Sequence, residues 1–184
     1  GLNDPQKAAV TIENGSALVL AGAGSGKTRV LTTRIAWLLS MGKASSQEIL
    51  AVTFTNKAAK EMLLRIGLML PYNLRSMWIG TFHGLCNRML RHHHEQAALP
   101  ESFQILDTQD QLSFVKRLMK NLSVDTDKFP PRQVQKFINS AKEEGLRYDS
   151  VDDPNGFNRP YIELYEAYDI QCQKEGVVDF GELL

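Results

Sequence analysis

Three features of the sequence predict an α/β fold with a parallel sheet, followed by a mainly helical region. Short apolar runs recur at residues 17–20, 49–54 and 77–82, helical periodicity separates them, and the pattern changes after His83. Strands separated by helices imply right-handed crossovers and a parallel sheet.

The elements follow in order. Asn3-Asp4-Pro5 places a capping amide and a first-turn proline ahead of a helix expected to reach about Ile12. Ala17-Leu18-Val19-Leu20 is a continuous apolar run ending in a glycine-rich loop, the pattern of a parallel strand buried on both faces. A helix opens at the loop, with Leu31, Ile35, Leu38 and Leu39 at helical spacing, and Met41-Gly42 closes it. A second strand runs from Ile49 to Phe54. The helix after it, from about Asn56 to Leu70, carries Ala59, Met62, Ile66 and Met69 on one face, and Met77 to Phe82 forms a third strand.

Beyond His83 the periodicity is almost exclusively helical. Asp107 or Thr108 caps a helix to Leu122, with Leu112, Val115, Leu118 or Met119, and Leu122 on one stripe. Pro130-Pro131 starts another that carries Val134, Phe137, Ile138 and Ala141 and ends at Gly145. Tyr161, Tyr165, Tyr168 and Cys172 form an aromatic stripe before Gly176, expected in a core. No repeat or low-complexity linker intervenes, so residues 1–83 and 84–184 read as two directly joined regions.

The 184 residues are 43% hydrophobic, ample for a packed core. No stretch approaches the roughly 20 apolar residues of a membrane span and no leader pattern opens the chain, so a cytoplasmic location without membrane partners is expected. Cys86 and Cys172 are the only cysteines and lack CxxC spacing, which argues against a disulfide framework or zinc site. The formal charge is zero but unevenly divided. Residues 1–83 hold nine Lys and Arg against four Asp and Glu, and residues 84–184 hold twelve against seventeen. A polyanion therefore favours the first region.

Ala21-Gly22-Ala23-Gly24-Ser25-Gly26-Lys27-Thr28 lies where a predicted strand gives way to a helix. Glycines let backbone N–H groups turn inward around phosphate oxygens, and the helix N-terminus adds a favourable dipole. Lys27 reaches the β and γ phosphates, and the Thr28 hydroxyl suits Mg²⁺. Ala21 stands where the GxxxxGK[ST] pattern has glycine, and a small residue suffices there. A loop of this kind leaves kinase, GTPase, transporter ATPase and helicase open. Gln6, on the preceding helix, offers the paired donor and acceptor that reading an adenine edge requires. His92-His93-His94 invites a metal reading, but on a helix adjacent residues point about 100° apart and do not converge on one ion.

Leu2 to Val10, Ala21 to Arg29, Ala51 to Met62 and Gly80-Thr81-Phe82-His83-Gly84 resemble, in order and spacing, four successive motifs of superfamily 1 DNA helicases. Phe103 to Asp107, Pro130 to Gln133 and Val178 to Leu184 are similar to the UvrD branch, which includes Rep and PcrA. The resemblance covers essentially the whole chain. It implies part of a RecA-like ATP-binding domain over residues 1–83 and a helical insertion subdomain over residues 84–184 that returns toward the motor domain. It also implies that the chain is the N-terminal fragment of an ATP-dependent 3′-to-5′ helicase of bacterial DNA repair. Such a protein acts on single-stranded and duplex DNA, with repair proteins as further partners, and associates with the nucleoid when on DNA.

By the same resemblance Gln6 contacts adenine, the loop residues with Lys27, Thr28 and Arg29 hold ATP phosphates and Mg²⁺, and Arg65 lies near the nucleotide. Lys27 and Thr28 are the expected catalytic pair. Phe54, Thr55, Asn56, Thr81, Phe82 and His83 face single-stranded DNA, at the C-terminal ends of parallel strands where α/β sheets place their ligands. A Phe face stacks on any base and short polar groups hold phosphates without reading sequence. On pattern alone Phe54 fits a core equally well, and Arg65 fits an ordinary surface charge. A non-catalytic nucleotide- or DNA-binding module, or part of a helicase-nuclease, are the rival functions. Asp107 reads as a helix cap and Val151 to Pro154 as a turn, so neither supplies the carboxylate that hydrolysis requires, and the isolated chain is expected to be inactive.

Overall fold

A computed structural model describes residues 1–70 and 74–184. The chain forms two compact units, Gly1–Leu85 and Cys86–Leu184.

In the first unit α1 (Asp4–Val10) starts at a reciprocal cap. The Asn3 side chain accepts from the Gln6 N–H, and the Gln6 side chain accepts from the Asn3 N–H, each at 3.0 Å. The helix stops at Val10 rather than Ile12, because Thr11 turns its own N–H and hydroxyl back to the Lys7 carbonyl. Helix α2 (Lys27–Ser40) opens directly on the glycine-rich loop. Strands β1 (Leu50–Thr53) and β2 (Trp78–Thr81) pair in parallel, Leu50 opposite Trp78 and Thr53 opposite Thr81. Helix α3 (Asn56–Met69) makes the crossover, capped by the Thr55 hydroxyl. Ile35 and Leu39 of α2, Ile49 and Ala51 at β1, Met62 and Ile66 of α3, and Met77 form one core. Leu31 and Met69, expected on buried faces, are partly exposed.

The apolar run at residues 17–20 is not a strand. It has no ladder partner among the described residues, and Leu18 and Leu20 are each 84% exposed. Apolar composition favours burial, but a strand exists only where a neighbour satisfies its N–H and C=O groups. Here β1 and β2 pair with each other and leave the run irregular.

The second unit is largely helical. After α4 (Phe82–His92), within which the boundary between units falls, come α5 (Thr108–Asn121), α6 (Pro131–Glu143) and α7 (Arg159–Glu175). Val115, Met119, Val134, Ile138, Tyr165 and Tyr168 build its main core, as the helical stripes require, with Met119 buried where Leu122 is half exposed. Gly176 ends α7 in a left-handed turn at φ 63°, and a Cβ there would meet Pro100 at 2.6 Å. Two short strands were not foreseen in this mainly helical region. β3 (Gln104–Leu106) and β4 (Val177–Asp179) pair in parallel, and α8 (Phe180–Leu183) follows. At three residues each they are too short to display a two-residue period.

A buried ionic knot closes this unit. The Asp179 carboxylate accepts from the Tyr168 hydroxyl at 2.7 Å, Lys142 Nζ at 2.8 Å, Gln111 Nε2 at 3.2 Å and the Glu182 N–H at 2.8 Å. Lys142 also bridges to Glu182 at 2.9 Å. Burial alone would lower the Lys142 ammonium, but Asp179 and Glu182 raise it overall. Burial pushes the Cys172 thiol up to about 12, so it stays protonated.

Candidate functional site

The loop between Ala21 and Lys27 takes its shape from two left-handed residues, Gly24 at φ 74° and Gly26 at φ 87°. A Cβ built on Gly22 or Gly24 would meet nothing within 4 Å, so the loop is open where a ligand's oxygens would approach. Successive left-handed and helical residues turn their N–H groups into one concavity, which attracts anions. Ser25 braces the turn by donating from its hydroxyl to the Gly22 carbonyl at 2.6 Å. Lys27 folds over the loop, its Nζ 2.7 Å from the carbonyls of both Ala21 and Gly22. Thr28 is the second residue of α2 and is exposed, as are Ala23 and Arg29.

Gln6 reaches this loop. While its Oε1 completes the α1 cap, its Nε2 donates to the Ser25 carbonyl at 3.0 Å. Gln6, Ala21, Ser25 and Lys27 line a cleft of about 190 Å³, with Val19, Leu20 and Val30 as its apolar wall. Arg29 and Arg65 share a second cleft, of about 560 Å³, with Leu2, Thr32, Thr33, Leu68 and Met69. Arg65 is ion-paired to Glu61 one turn earlier on α3. Two arginines beside an apolar wall suit a flat anionic ligand.

The other expected residues gather at the C-terminal ends of β1 and β2. Phe54 is 93% exposed, so it is not a core residue. Its ring lies 6.3 Å from that of Phe82, which is itself half exposed. The Thr55 hydroxyl is taken by the Ala58 N–H as the α3 cap, and the Thr81 hydroxyl accepts from the Gly84 N–H at 3.2 Å. Asn56 and His83 are exposed beside them. Phe82 and His83 belong to the first turn of α4 rather than to a strand, because β2 ends at Thr81.

Two supporting contributions were not legible beforehand. Arg34 of α2 donates to the carbonyls of Val10 at 2.9 Å and Ile12 at 2.8 Å, tying down the C-terminal end of α1. The Ser25 brace is the second. A single arginine inside an amphipathic helix carries no pattern, although the unpaired carbonyls at the end of α1 call for such a donor. Away from this face, His92 and His94 turn Nδ1 to the carbonyls of Arg88 and Leu99 respectively, each a local contact. Among the described residues no helix is long and apolar enough to cross a membrane.

Residues 2–184 match the family described as the UvrD/REP helicase N-terminal domain. The chain is 52% identical over 184 residues to DNA helicase II of Escherichia coli and 51% identical over 189 residues to DNA helicase II of Haemophilus influenzae. It is 40% identical over 186 residues to the ATP-dependent DNA helicase PcrA of Bacillus subtilis. Each alignment uses the whole chain but only 25% or 26% of the relative, so the chain spans about a quarter of the length of these proteins. With the glycine-rich loop, the neighbouring Gln6 and the exposed strand ends all inside the matched segment, the chain belongs to the UvrD/REP helicase family, as its N-terminal domain.

Proposed function

We propose that this chain is the N-terminal part of an ATP-dependent 3′-to-5′ DNA helicase of DNA repair. In this reading residues 1–83 form part of the first RecA-like motor domain, and residues 84–184 a helical insertion that returns toward it. The observation that carries the proposal is the loop at the start of α2, where Lys27 Nζ is held by two neutral carbonyls at 2.7 Å. A phosphate replaces those carbonyls with charged oxygens, and charge-assisted bonds are the stronger ones. The N–H groups at the start of α2 have no intrahelical acceptor and add their own attraction.

The residues present fit ATP with Mg²⁺. Backbone N–H groups from Gly22 to Lys27 with the Lys27 ammonium would hold the phosphates, and the exposed Thr28 hydroxyl would ligate the metal. Arg29 and Arg65 would flank the rest of the nucleotide in their shared cleft. Mg²⁺ would neutralise phosphate charge there. Single-stranded DNA would lie across Phe54, Thr55, Asn56, Thr81, Phe82 and His83, its bases on the exposed rings and its phosphates near the polar groups. Thr55 and Thr81 serve that face chiefly by fixing the turns, since their hydroxyls already accept backbone N–H groups. In the whole protein, ATP-driven closure of two motor lobes would move the strand past this face.

Calorimetric titration of ATP with Mg²⁺ into the 184-residue chain tests the proposal. Loss of the Lys27 ammonium removes charged hydrogen bonds of about 1.5 to 3 kcal/mol, so Lys27→Ala should weaken binding more than tenfold. Thr28→Ala should act only when Mg²⁺ is present. Equal ATP affinity in Lys27→Ala would rule out the phosphate-binding loop.

A further inference from the structure

We propose that Asn14-Gly15, in the turn that follows α1, is a site of spontaneous deamidation through a cyclic imide. The fold shields the second Asn-Gly pair of the chain, Asn155-Gly156, from the same reaction. The inference does not depend on what the glycine-rich loop binds.

The chemistry needs only base and water. The backbone nitrogen of Gly15 gives up its proton to base and attacks Asn14 Cγ. A C–N bond forms and the Cγ–Nδ2 bond breaks, Nδ2 taking up a proton and leaving as ammonia, so that a five-membered imide closes. Glycine suits the attacking position because no side chain crowds its nitrogen and its backbone is free to turn. Water then opens the imide at either carbonyl. Opening at Cγ gives aspartate, and opening at the main-chain carbonyl gives isoaspartate, in which the chain runs on through the side-chain carbon.

Both pairs are exposed, and they differ in what holds the glycine nitrogen. Gly15 adopts φ 91° and a Cβ built on it would meet nothing within 4 Å. Among the described residues neither its N–H nor the Asn14 amide has a hydrogen-bond partner. The chain is anchored just before this turn, where Arg34 holds the Ile12 carbonyl at 2.8 Å and Lys43 pairs with Glu13 at 2.9 Å. At the second pair the Gly156 N–H donates to the Asp153 carbonyl at 3.1 Å. The Asp153 carboxylate closes the same turn by accepting the Asn158 N–H at 3.1 Å. Attack at Asn155 must break the Gly156 bond first, whereas attack at Asn14 breaks none. Conversion of Asn14 adds one carboxylate to residues 1–83, which hold nine Lys and Arg against four Asp and Glu, and so makes the basic region less basic.

Incubation of the 184-residue chain in mildly alkaline buffer, with and without denaturing urea, tests the proposal. Peptide mapping by mass spectrometry follows amide-to-acid conversion at each pair, and enzymatic methylation of isoaspartyl carboxylates is the second readout. In the folded chain Asn14 should convert faster than Asn155 by about two- to tenfold, the scale of one backbone hydrogen bond. In urea the two rates should come together. Asn14→Gln, whose imide needs a larger ring, should remove the fast methylation and leave the urea midpoint unchanged. Conversion of Asn155 at an equal or higher rate in the folded chain overturns the proposal, and so does an Asn14 that stays intact there. A ratio that persists in urea overturns it as well, because sequence context rather than the fold would then set the difference.

Discussion

Replacement of Phe54 by alanine separates a ligand-facing ring from a packed one, and the structure sets a magnitude for each. The side chain is 93% exposed, so its removal vacates almost no core. Its ring neighbour among the described residues, Phe82, is half exposed, lies 6.3 Å away and is tilted by 60°. Exposed substitutions stay within about 0.5 kcal/mol, and an aromatic pair adds about 0.5 to 1.5 kcal/mol, toward the lower end when wet. Phe54→Ala should therefore cost at most about 1 kcal/mol in a urea titration. Stacking on a base contributes about 1 to 3 kcal/mol, so affinity for a labelled oligothymidylate should fall about 5- to 150-fold. Fluorescence anisotropy at low salt measures it, and affinity of the unsubstituted chain should decline steeply as salt rises. Unchanged DNA affinity with intact folding would refute the reasoning, because it would leave a fully exposed ring at a strand end with no ligand to meet.

Further outcomes follow from the second unit and from the loop. Lys142→Met strands a buried carboxylate that keeps three of its four donors, so unfolding stability should drop by about 3 kcal/mol, the lower end for a broken buried pair. Adding Asp179→Leu should return part of that loss in a double-mutant cycle, and no return would mean that the charge pair is not the cause. Glu182 is raised by burial but held below its ordinary 4.5 overall by Arg147 and Lys142. Its stabilising contribution is thus present above pH 4.5 and is lost as pH falls through the lower folded value, opposed by Asp169, which burial raises. Glu182→Gln should flatten acid unfolding in that window, and an unaltered acid limb would count against the linkage. Phosphate release by the 184-residue chain should remain at background with and without DNA, whereas DNA-stimulated turnover that Asp107→Asn abolished would make Asp107 a catalytic carboxylate.

Much of this layout was legible in the sequence, for reasons that differ by element. Caps read clearly because they are local. Asn3 and Asp107 each satisfy N–H groups two or three residues away, so the signal and its cause share a few positions. Helical stripes were legible because Val115, Ile138 and Tyr168 repeat at a period that burial enforces. The run at residues 17–20 misled because composition reports a preference for burial, and strand formation depends on partners elsewhere in the chain. Strands β3 and β4 escaped for the complementary reason, since their pairing is set by a contact between residues about 70 positions apart. At the candidate site residue types were legible and their commitments were not. Gln6, Thr55 and Thr81 have the groups that a ligand needs, and the fold has already assigned those groups to Asn3, Ser25, Ala58 and Gly84.

The same distinction locates the chemistry. Carboxylates follow both strands of the second unit, Asp107 after β3 and Asp179 at the end of β4, and position alone would recommend either as an acid for phosphate chemistry. Each is engaged within its own unit instead. Asp107 Oδ1 takes the N–H groups of Gln109 and Asp110 at 2.8 Å, and Asp179 takes four donors with only 2% exposure. Asp179, buried and so occupied, is turned away from water or a metal ion, and Asp107 serves as the α5 cap. The strand ends of the first unit differ, with an exposed ring at Phe54, exposed polar groups at Asn56 and His83, and no carboxylate among the described residues there. Charge follows the same division, with excess base in residues 1–83 and excess acid in residues 84–184. The first unit therefore carries ammonium, guanidinium and backbone N–H groups of the kind that suit polyanions, while the second uses acids to pin its own helices. Substitutions at Asp107 and Asp179 should register in folding before they register in phosphate chemistry.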